Sequence, residues 1–383
     1  MVIVSIQGRG KTLLTGQYFK EGLLMEGQQN QDKLKPLVIL NDRPSRGGAG
    51  RYASQLYEAS SSFSVLISSV WMAQEKRLEF PGYRFDPKFD NLPYFIDRFQ
   101  AYTSHIFPQL FRRDYFEYVK ETKRRKGFIH YSSHLIKPIH SDDRDVVSFL
   151  DAIGLEALTR QPINYLINRS FLKFQNILTL SHTENEKIAF LSHNSQPITI
   201  HPYVSKSFYR FDKATARKKV GIETEKHVVL SVSIAQPRKN LKIIPKVMET
   251  LGENYMLIRV GPRLGSEMNF VNVSDETLNY IYNAADVFFF PTLAEGFGYP
   301  LVEAMAVGLP IVSSDIPVVR EITDGAAVLT DPLSISELAN SIRDLVNDPR
   351  SVAEKEIERS RYFTFERFSR ELQNFYKKIG VFD

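Results

Sequence analysis

Short runs of apolar, largely β-branched residues recur along the chain and alternate with segments long enough to form helices. Twelve such runs are KPLVILND, FSVLISS, GFIHYSS, DVVSFLD, NILTLSH, QPITIHPY, KHVVLSVS, YMLIRVG, NFVNVS, DVFFFPT, PIVSSD and AAVLTD. Strands this apolar, separated by helical segments, indicate parallel sheets that are covered on both faces. The pattern therefore predicts an α/β fold.

The strand runs form two series, separated by the charged segment YVSKSFYRFDKATARKKVGI. A chain of 383 residues, 43% of them hydrophobic, is long enough for two domains with separate cores. We predict two doubly wound, Rossmann-like domains, the first over residues 36–215 and the second over residues 216–360. Ligands of such domains bind at the carboxyl ends of the strands. Residues 1–35 are predicted to add a strand and a helix beside the first sheet, and residues 361–383 to form an amphipathic helix.

Two absences in the sequence exclude whole classes of protein. The chain has no cysteine, so disulfides, a thiol nucleophile and thiolate metal ligands are excluded. No apolar run approaches the ~18 to 20 residues that span a bilayer, and the N-terminus lacks the pattern of a signal peptide. We therefore expect a cytoplasmic protein that is soluble or peripheral to a membrane.

Positive charge is concentrated in one segment of the first half. Residues 1–200 hold 26 Lys and Arg against 20 Asp and Glu, a balance of +6, whereas the remainder holds 23 against 24, a balance of −1. Much of the excess lies in residues 112–126, where basic and aromatic side chains occur at roughly helical spacing. A charge run of this kind is most often a solvated helix face. The alternative is a peripheral contact with an anionic membrane; a nucleic-acid partner is not expected.

Two glycine-containing stretches in the first domain could approach a phosphate. GRGKT, at residues 8–12, has the lysine and threonine of a Walker A loop, but Ser5 occupies the position of its leading glycine. GGAGRYASQLYEA places Gly47 and Gly48 between a predicted strand and a helix. Glycine allows close approach of the main chain, and a helix N-terminus attracts anions. We predict that Gly47 and Gly48 form the functional loop, and keep a P-loop NTPase that uses GRGKT as an alternative.

The most informative segment is DVFFFPTLAEGFGYPLVEAMAVGLP. It predicts a buried strand, a glycine-containing turn and a helix that ends at Gly308. Backbone amides of Phe297 and Gly298 at the helix start can hold a phosphate. Glu295 in the turn and Glu303 about one turn into the helix would face one cleft, where ionised carboxylates bind sugar hydroxyls strongly. The alternative is that Glu295 caps the helix and Glu303 is solvated.

This segment resembles the C-terminal signature of the family 4 glycosyltransferases, retaining enzymes of the GT-B fold, in which two acidic residues are separated by seven. Glu295 and Glu303 have that spacing. The resemblance implies that Glu295 contacts the donor sugar near the reacting carbon and that Glu303 binds the nucleotide ribose. It also implies that Gly296, Phe297 and Gly298 hold the donor phosphates, and that Gly47 and Gly48 bind the donor. By the same resemblance, residues 36–215 form the acceptor-side domain and residues 216–360 the nucleotide-sugar-binding domain. In this family the last helix crosses back to the first domain.

The likeness continues in VVLSVSIAQPRKNLKIIPKVMETL, where Lys239 takes the place of the diphosphate-binding lysine of the family. The glycine and arginine that usually precede this lysine are replaced by Ser233 and Ile234, so one phosphate cation is missing, and Arg238 is the candidate substitute. Lys239 is predicted to be catalytic together with Glu295, because it would stabilise the leaving diphosphate. The implied donor is a UDP- or GDP-linked sugar, the acceptor a sugar, glycan or lipid-linked molecule, and no metal is expected.

Three residues are candidates for the acceptor side of the cleft. They are Arg51, His134 and Asp151. The family commonly has a histidine before the aspartate, where this chain has Leu150. His130, in the same HYSSH stretch as His134, is interpreted as a packing residue. A non-catalytic protein that binds a sugar nucleotide or nucleic acid remains the second alternative.

Overall fold

The structure is a computed structural model, and it describes residues 37–41, 48–62, 64–68, 119–120, 122–133, 142–151, 174–192, 195–264 and 268–382. These residues form two six-stranded sheets with helices packed on them. Every strand pair in both sheets is parallel. The predicted α/β fold with two parallel sheets is confirmed.

The first sheet has the spatial order β2-β1-β3-β4-β5-β6. Its strands are β1 (Leu37–Asn41), β2 (Ser64–Ser68), β3 (Phe128–Tyr131), β4 (Val146–Phe149), β5 (Asn176–Thr179) and β6 (Ile198–Thr199). Because β1 lies between β2 and β3, the direction of winding reverses there. In doubly wound folds such a switch point opens a crevice at the carboxyl ends of the strands.

The second sheet has the order β12-β11-β10-β7-β8-β9. Its strands are β7 (His227–Val232), β8 (Tyr255–Val260), β9 (Met268–Phe270), β10 (Val287–Phe290), β11 (Ile311–Ser314) and β12 (Val328–Thr330). All residues of β10 and β11 are buried, as expected for central strands with both faces covered. The switch point lies between β7 and β10, so the segments that follow these two strands share one crevice.

Ten helices complete the two layers on the sheets within the described part of the chain. They are α1 (Gly48–Ser60), α2 (His182–Leu191), α3 (Lys213–Val220), α4 (Ile243–Leu251), α5 (Asp275–Ala284), α6 (Tyr299–Val307), α7 (Pro317–Thr323), α8 (Ile335–Asn347), α9 (Arg350–Ser360) and α10 (Phe365–Lys378). Serine hydroxyls cap the N-termini of α2, α5 and α8. None of the described helices has the length and apolar character needed to cross a membrane.

Helix α6 is limited to nine residues by glycines at both ends. Gly298 precedes it with φ of 92°, and Gly308 follows it with φ of 66° while donating its N–H to the carbonyls of Ala304 and Met305. Both glycines therefore have left-handed conformations that other residues adopt only with strain. A Cβ on Gly308 would also lie 2.8 Å from Ile357 Cδ1 of α9. These restraints fix α6 directly behind the loop that follows β10.

The last helix, α10, packs against the first sheet and α1. Tyr376 of α10 lies with its hydroxyl 2.6 Å from Nδ1 of His130 in β3, and Phe368 makes an edge contact with Tyr52 of α1. Arg367 donates to the carbonyl of His201, just after β6, over 2.8 Å. The chain thus returns from the second sheet to the first at its C-terminus.

A carboxylate of the second domain also caps a helix of the first. Glu321 of α7 accepts hydrogen bonds from the backbone amides of His182 and Thr183, at 2.6 and 2.8 Å, at the start of α2. His201 Nε2 lies 2.8 Å from the same carboxylate. Burial alone would raise the pKa of Glu321, but the bonds from His201, Thr183 and His182 lower it to about 2. These hydrogen bonds between α7 and the start of α2 join the two domains.

Glu356 of α9 is a carboxyl group inside the second domain. One oxygen accepts a hydrogen bond from the backbone amide of Ile311 over 2.9 Å, and the other, Oε2, has no partner among the residues that the structure describes. Burial raises the pKa of Glu356 to about 9, against the smaller opposing effect of the bond from Ile311. The side chain is therefore protonated and neutral at pH 7.

We expect the stability of the protein to fall with rising pH because of Glu356. The folded pKa lies above the unfolded value of 4.5, so the unfolded state releases a proton between these values and stability drops by up to about 1.4 kcal/mol per pH unit. Glu356→Gln should remove this dependence. The melting temperature of the variant minus that of the wild type should therefore increase from pH 5 to pH 8. The exposed Glu358→Gln variant is the control. Equal pH dependence in the wild type and Glu356→Gln would contradict the buried-carboxyl interpretation.

Candidate functional site

Glu295 lies in the loop between β10 and α6, at the switch point of the second sheet, with 6% of its surface exposed. Its Oε1 accepts a hydrogen bond from Thr292 Oγ1 over 3.0 Å and contacts Lys239 Nζ. Its Oε2 accepts from Arg238 Nη1 over 3.1 Å. The sequence left open that Glu295 caps α6. In the structure its carboxylate instead contacts the two cations Lys239 and Arg238.

The two cations come from the short 3-10 turn Pro237–Lys239, which follows β7. Arg238 also donates to the carbonyl of Ala294 over 2.9 Å, and its own carbonyl accepts from the amide of Leu293 over 2.7 Å. Lys239 is 8% exposed, and its ammonium lies 5.1 Å from the ring centroid of Phe290. Burial lowers the pKa of Lys239, while the charge of Glu295 acts in the opposite direction. The β7 and β10 loops are thus joined by charge and by main-chain hydrogen bonds.

The first domain reaches this loop at the end of β4. A Cβ on Gly296 would lie 1.6 Å from the carbonyl oxygen of Leu150 and 3.1 Å from Cβ of Asp151. No side chain fits between these backbones, so only glycine permits the approach. The charge of Asp151 also acts on Lys239, and weakly opposes the lowering of its pKa by burial. The structure therefore brings Asp151 to the same pocket as Lys239 and Glu295.

Glu303, in the second turn of α6, is 2% exposed. Its Oε2 accepts a hydrogen bond from the Tyr282 hydroxyl over 2.9 Å, and its Oε1 contacts Arg51 Nη1. Arg51 belongs to α1 of the first domain and also donates to Asp275 Oδ1 over 3.0 Å. The sequence alternative of a solvated Glu303 is excluded by its burial.

Arg51, which the sequence analysis assigned to the acceptor side, thus contacts the carboxylate assigned to the ribose. Its guanidinium lies 5.8 and 5.6 Å from the ring centroids of Phe208 and Tyr299. The Tyr299 hydroxyl in turn donates to Gln55 Oε1 of α1 over 2.9 Å. Helices α1 and α6 therefore meet through an ion pair flanked by aromatic rings.

The predicted phosphate-binding backbone lies between these two carboxylates in the chain. Gly298 directly precedes α6, and Phe297 is 3% exposed, packed on Phe363 at a centroid distance of 5.6 Å. Neither the Phe297 nor the Gly298 amide has an acceptor among the described residues. Gly48 is the first residue of α1, and a Cβ there would lie 3.7 Å from Tyr299. Gly47, His134 and the GRGKT segment lie outside the described residues.

Two other predicted features have structural explanations. His130 is fully buried, with Nε2 2.8 Å from Ser148 Oγ, and burial lowers its pKa to about 3, so it is a neutral packing residue. In the basic segment, Lys123 forms ion pairs with Asp142, at 3.0 Å, and with Asp145. This part of the segment is engaged within the protein.

One group of described residues has a composition that could hold a metal ion: His182, His201 and Glu321, whose ligand atoms lie within 4.8 Å of one another. The Glu321 carboxylate already accepts from two backbone amides and the Thr183 hydroxyl. Its hydrogen bonds account for the cluster as a helix cap. Sequence reasoning missed Tyr282 and Asp275 as neighbours of Glu303, because nothing local in the sequence links α5 to α6 or to α1.

Residues 212–362 match the sequence profile of the family described as "Glycosyl transferases group 1". The curated relatives include the "O-antigen chain mannosyltransferase B" of Escherichia coli, 31% identical over 128 residues, which are 33% of this chain and 34% of the relative. They also include the "O-antigen chain mannosyltransferase RfbU" of Salmonella typhimurium, 25% identical over 206 residues, with 49% and 56% covered. The matches thus span from a third to just over half of these relatives.

Solved structures resemble nearly the whole chain. The sucrose-phosphate synthase of Thermosynechococcus elongatus aligns with a TM-score of 0.70 at 17% identity, covering 90% of this chain and 98% of that one. The Anabaena protein Alr3699/HepE, solved in complex with UDP-glucose, aligns with a TM-score of 0.67 at 16% identity, covering 90% and 99%. These likenesses concern the fold, and with the two facing sheets they identify it as GT-B.

We expect Arg51→Gln to destabilise the contact between α1 and α6. The substitution leaves the buried Glu303 carboxylate with only the Tyr282 hydroxyl, so the free energy of unfolding should fall by about 1 to 3 kcal/mol, which chemical denaturation measures. The control is Asp275→Asn, which removes the second, more exposed partner of Arg51 and should cost less than about 1 kcal/mol. Equal losses of unfolding free energy in the two variants would show that the ion pair of Arg51 with Glu303 stabilises the protein no more than its pair with Asp275.

Proposed function

We propose that this protein is a retaining glycosyltransferase that transfers a sugar from a UDP- or GDP-linked donor to a sugar, glycan or lipid-linked acceptor. The observation that carries the proposal is the convergence of Lys239, Arg238 and Glu295 at one switch point, with Glu303 behind them in α6. All four residues fall inside the region that matches the glycosyltransferase profile. The names of the O-antigen mannosyltransferases support a growing glycan as acceptor, and the UDP-glucose complex of the Anabaena protein supports a nucleotide-sugar donor.

The proposed chemistry depends on where charge develops. Breaking the bond between the anomeric carbon and the phosphate leaves an electron pair on the diphosphate, which Lys239, Arg238 and the amides of Phe297 and Gly298 would stabilise. In the structure both cations contact Glu295, whose single negative charge offsets one of their two positive charges. A bound diphosphate would draw them toward itself and leave Glu295 to accept hydrogen bonds from the donor sugar.

The acceptor hydroxyl would attack the face of the sugar that the diphosphate leaves, so that configuration is retained. Its proton would pass to the departing phosphate oxygen. We propose that Asp151, which lies beside Gly296 on the first-domain side, contacts the acceptor. Side chains and amides supply the neutralising charge in this scheme, so we propose that the transfer is metal-independent.

Contact of residues 112–126 with an anionic membrane stays a prediction. The pairing of Lys123 with Asp142 and Asp145 means that charge reversal at Lys123 would perturb the fold, so a membrane test belongs on other positions of the segment. The alternatives of a P-loop NTPase and of a non-catalytic binding protein differ from our proposal in one assay. Only a glycosyltransferase releases nucleoside diphosphate from a nucleotide sugar at a rate that depends on an acceptor.

We expect Glu303→Gln to weaken donor binding. Loss of charge-assisted hydrogen bonds to the ribose should cost about 1.5 to 3 kcal/mol, or roughly 10- to 150-fold in the dissociation constant measured by calorimetry with UDP and GDP. The matched control is Glu276→Gln, an exposed glutamate of α5. Unchanged nucleotide affinity in Glu303→Gln would remove ribose binding from the proposal.

Glu295→Gln tests chemistry apart from binding. Because Glu295 is proposed to contact the sugar that is transferred, its neutral variant should lose at least about tenfold in kcat, or 1.4 kcal/mol of barrier, with a smaller change in donor KM. UDP or GDP should still bind, as calorimetry can verify. Wild-type turnover in this variant would leave Glu295 as a structural partner of Lys239 and Arg238.

A further inference from the structure

Arg259 of β8 is a fully buried arginine, with 0% of its surface exposed. Its guanidinium donates to the carbonyls of Ser231 and Ser233, at 3.0 and 2.9 Å, and to their hydroxyls, at 3.1 and 3.2 Å. A longer bond of 3.4 Å runs to the carbonyl of Pro262. Every one of these partners is a neutral oxygen.

No carboxylate pairs with Arg259 among the residues that the structure describes. Burial lowers the pKa of Arg259 to about 10, so the side chain is still a cation at neutral pH. A buried charge without a counter-ion is costly. The other two cations at the site, Lys239 and Arg238, both contact the carboxylate of Glu295.

The position of Arg259 brings this charge close to the turn that follows β7. In the sheet Ser231 of β7 is the register partner of Arg259, so the guanidinium lies below the turn that leads from β7 to Arg238 and Lys239. Gly261 presses the following loop onto the same turn, since a Cβ there would lie 2.1 Å from the carbonyl oxygen of Ser233. The charge is thus enclosed against Ser231 and Ser233 at the carboxyl end of β7, one of the two strands that border the switch point.

The turn itself, residues 233–236, contains no basic side chain. Ile234, at the position of the missing arginine, is 57% exposed. The amides of Ile234 and Ala235 have no acceptor among the described residues. Because the Ser233 hydroxyl accepts from Arg259 Nη1, its own proton is free to point outward to an anion. The turn therefore offers hydrogen-bond donors above and a positive charge below.

We propose that Arg259 is a positioning residue for the donor diphosphate, supplying from beneath the Ser233 turn the positive charge that Ile234 does not provide. This inference rests on the proposed function. Arg259 does not touch the ligand. It orients the Ser233 hydroxyl toward a phosphate oxygen, turns the carbonyls of Ser231 and Ser233 away from it, and places its charge below the anion.

The experiment compares ligands that differ only in phosphate number. Calorimetry with UDP, UMP and uridine, and with GDP, GMP and guanosine, is performed on the wild type, Arg259→Gln and Arg259→Lys. We expect Arg259→Gln to lose at least tenfold in affinity for the diphosphate, less for the monophosphate and nothing for the nucleoside. Arg259→Lys should stay within about threefold of the wild type. The control Arg361→Gln, at an exposed arginine directly after α9, should bind all six ligands like the wild type.

Two further variants separate charge from packing. Adding Ile234→Arg to Arg259→Gln should restore diphosphate affinity, because a cation above the turn replaces the one below. Ser233→Ala removes the hydroxyl without touching the buried charge, and should reduce diphosphate affinity even if Arg259→Gln proves too unstable to purify.

The inference is overturned if Arg259→Gln binds the diphosphate like the wild type, or if nucleoside and diphosphate affinities fall together. It is also overturned if Ser233→Ala leaves diphosphate affinity unchanged. Absence of nucleotide binding in the wild type would instead refute the proposed function, and the role of Arg259 with it.

Discussion

The site is organised by the need of two buried carboxylates for positive partners. Glu295 obtains Lys239 and Arg238 from the turn after β7, within its own domain. Glu303 obtains Arg51 from the first domain, across the cleft. A buried carboxylate without a positive partner would be strongly unfavourable at either of these two positions. The two sets of ion pairs therefore hold the loop after β7, the start of α6 and helix α1 in their places.

The same pairs bear on how the proposed donor would bind. The two cations proposed to hold a diphosphate contact Glu295, and the carboxylate proposed to bind ribose contacts Arg51. In the proposed function, binding of a donor would be an exchange of partners, in which phosphate and hydroxyl groups replace protein groups of like character. Arg259 is different, because its charge is enclosed among neutral oxygens and cannot be exchanged. A fixed charge of this kind needs no rearrangement when the ligand arrives.

Local sequence patterns predicted much of this arrangement. The apolar runs identified the strands of both sheets because a strand covered on both faces needs apolar side chains at every position. The eight-residue step from Glu295 to Glu303 predicted two acids in one crevice, since the turn and the helix start lie in a single continuous segment. The resemblance to the family 4 glycosyltransferases identified Lys239 as the candidate diphosphate-binding lysine. Ile234 stands where that family usually has an arginine, so the resemblance also indicated one cation fewer at this site.

The sequence by itself thus determined the α/β class, the two strand series and the acidic pair, because each depends on neighbours in the chain. Only the tertiary structure decided that Arg51 faces Glu303 and that Asp151 meets Gly296, since these contacts join residues far apart in sequence. The role of Arg259 was hidden for the same reason. It is a single polar residue in an apolar strand, and its meaning comes from the sheet register that places it beside Ser231 and under the turn at Ser233.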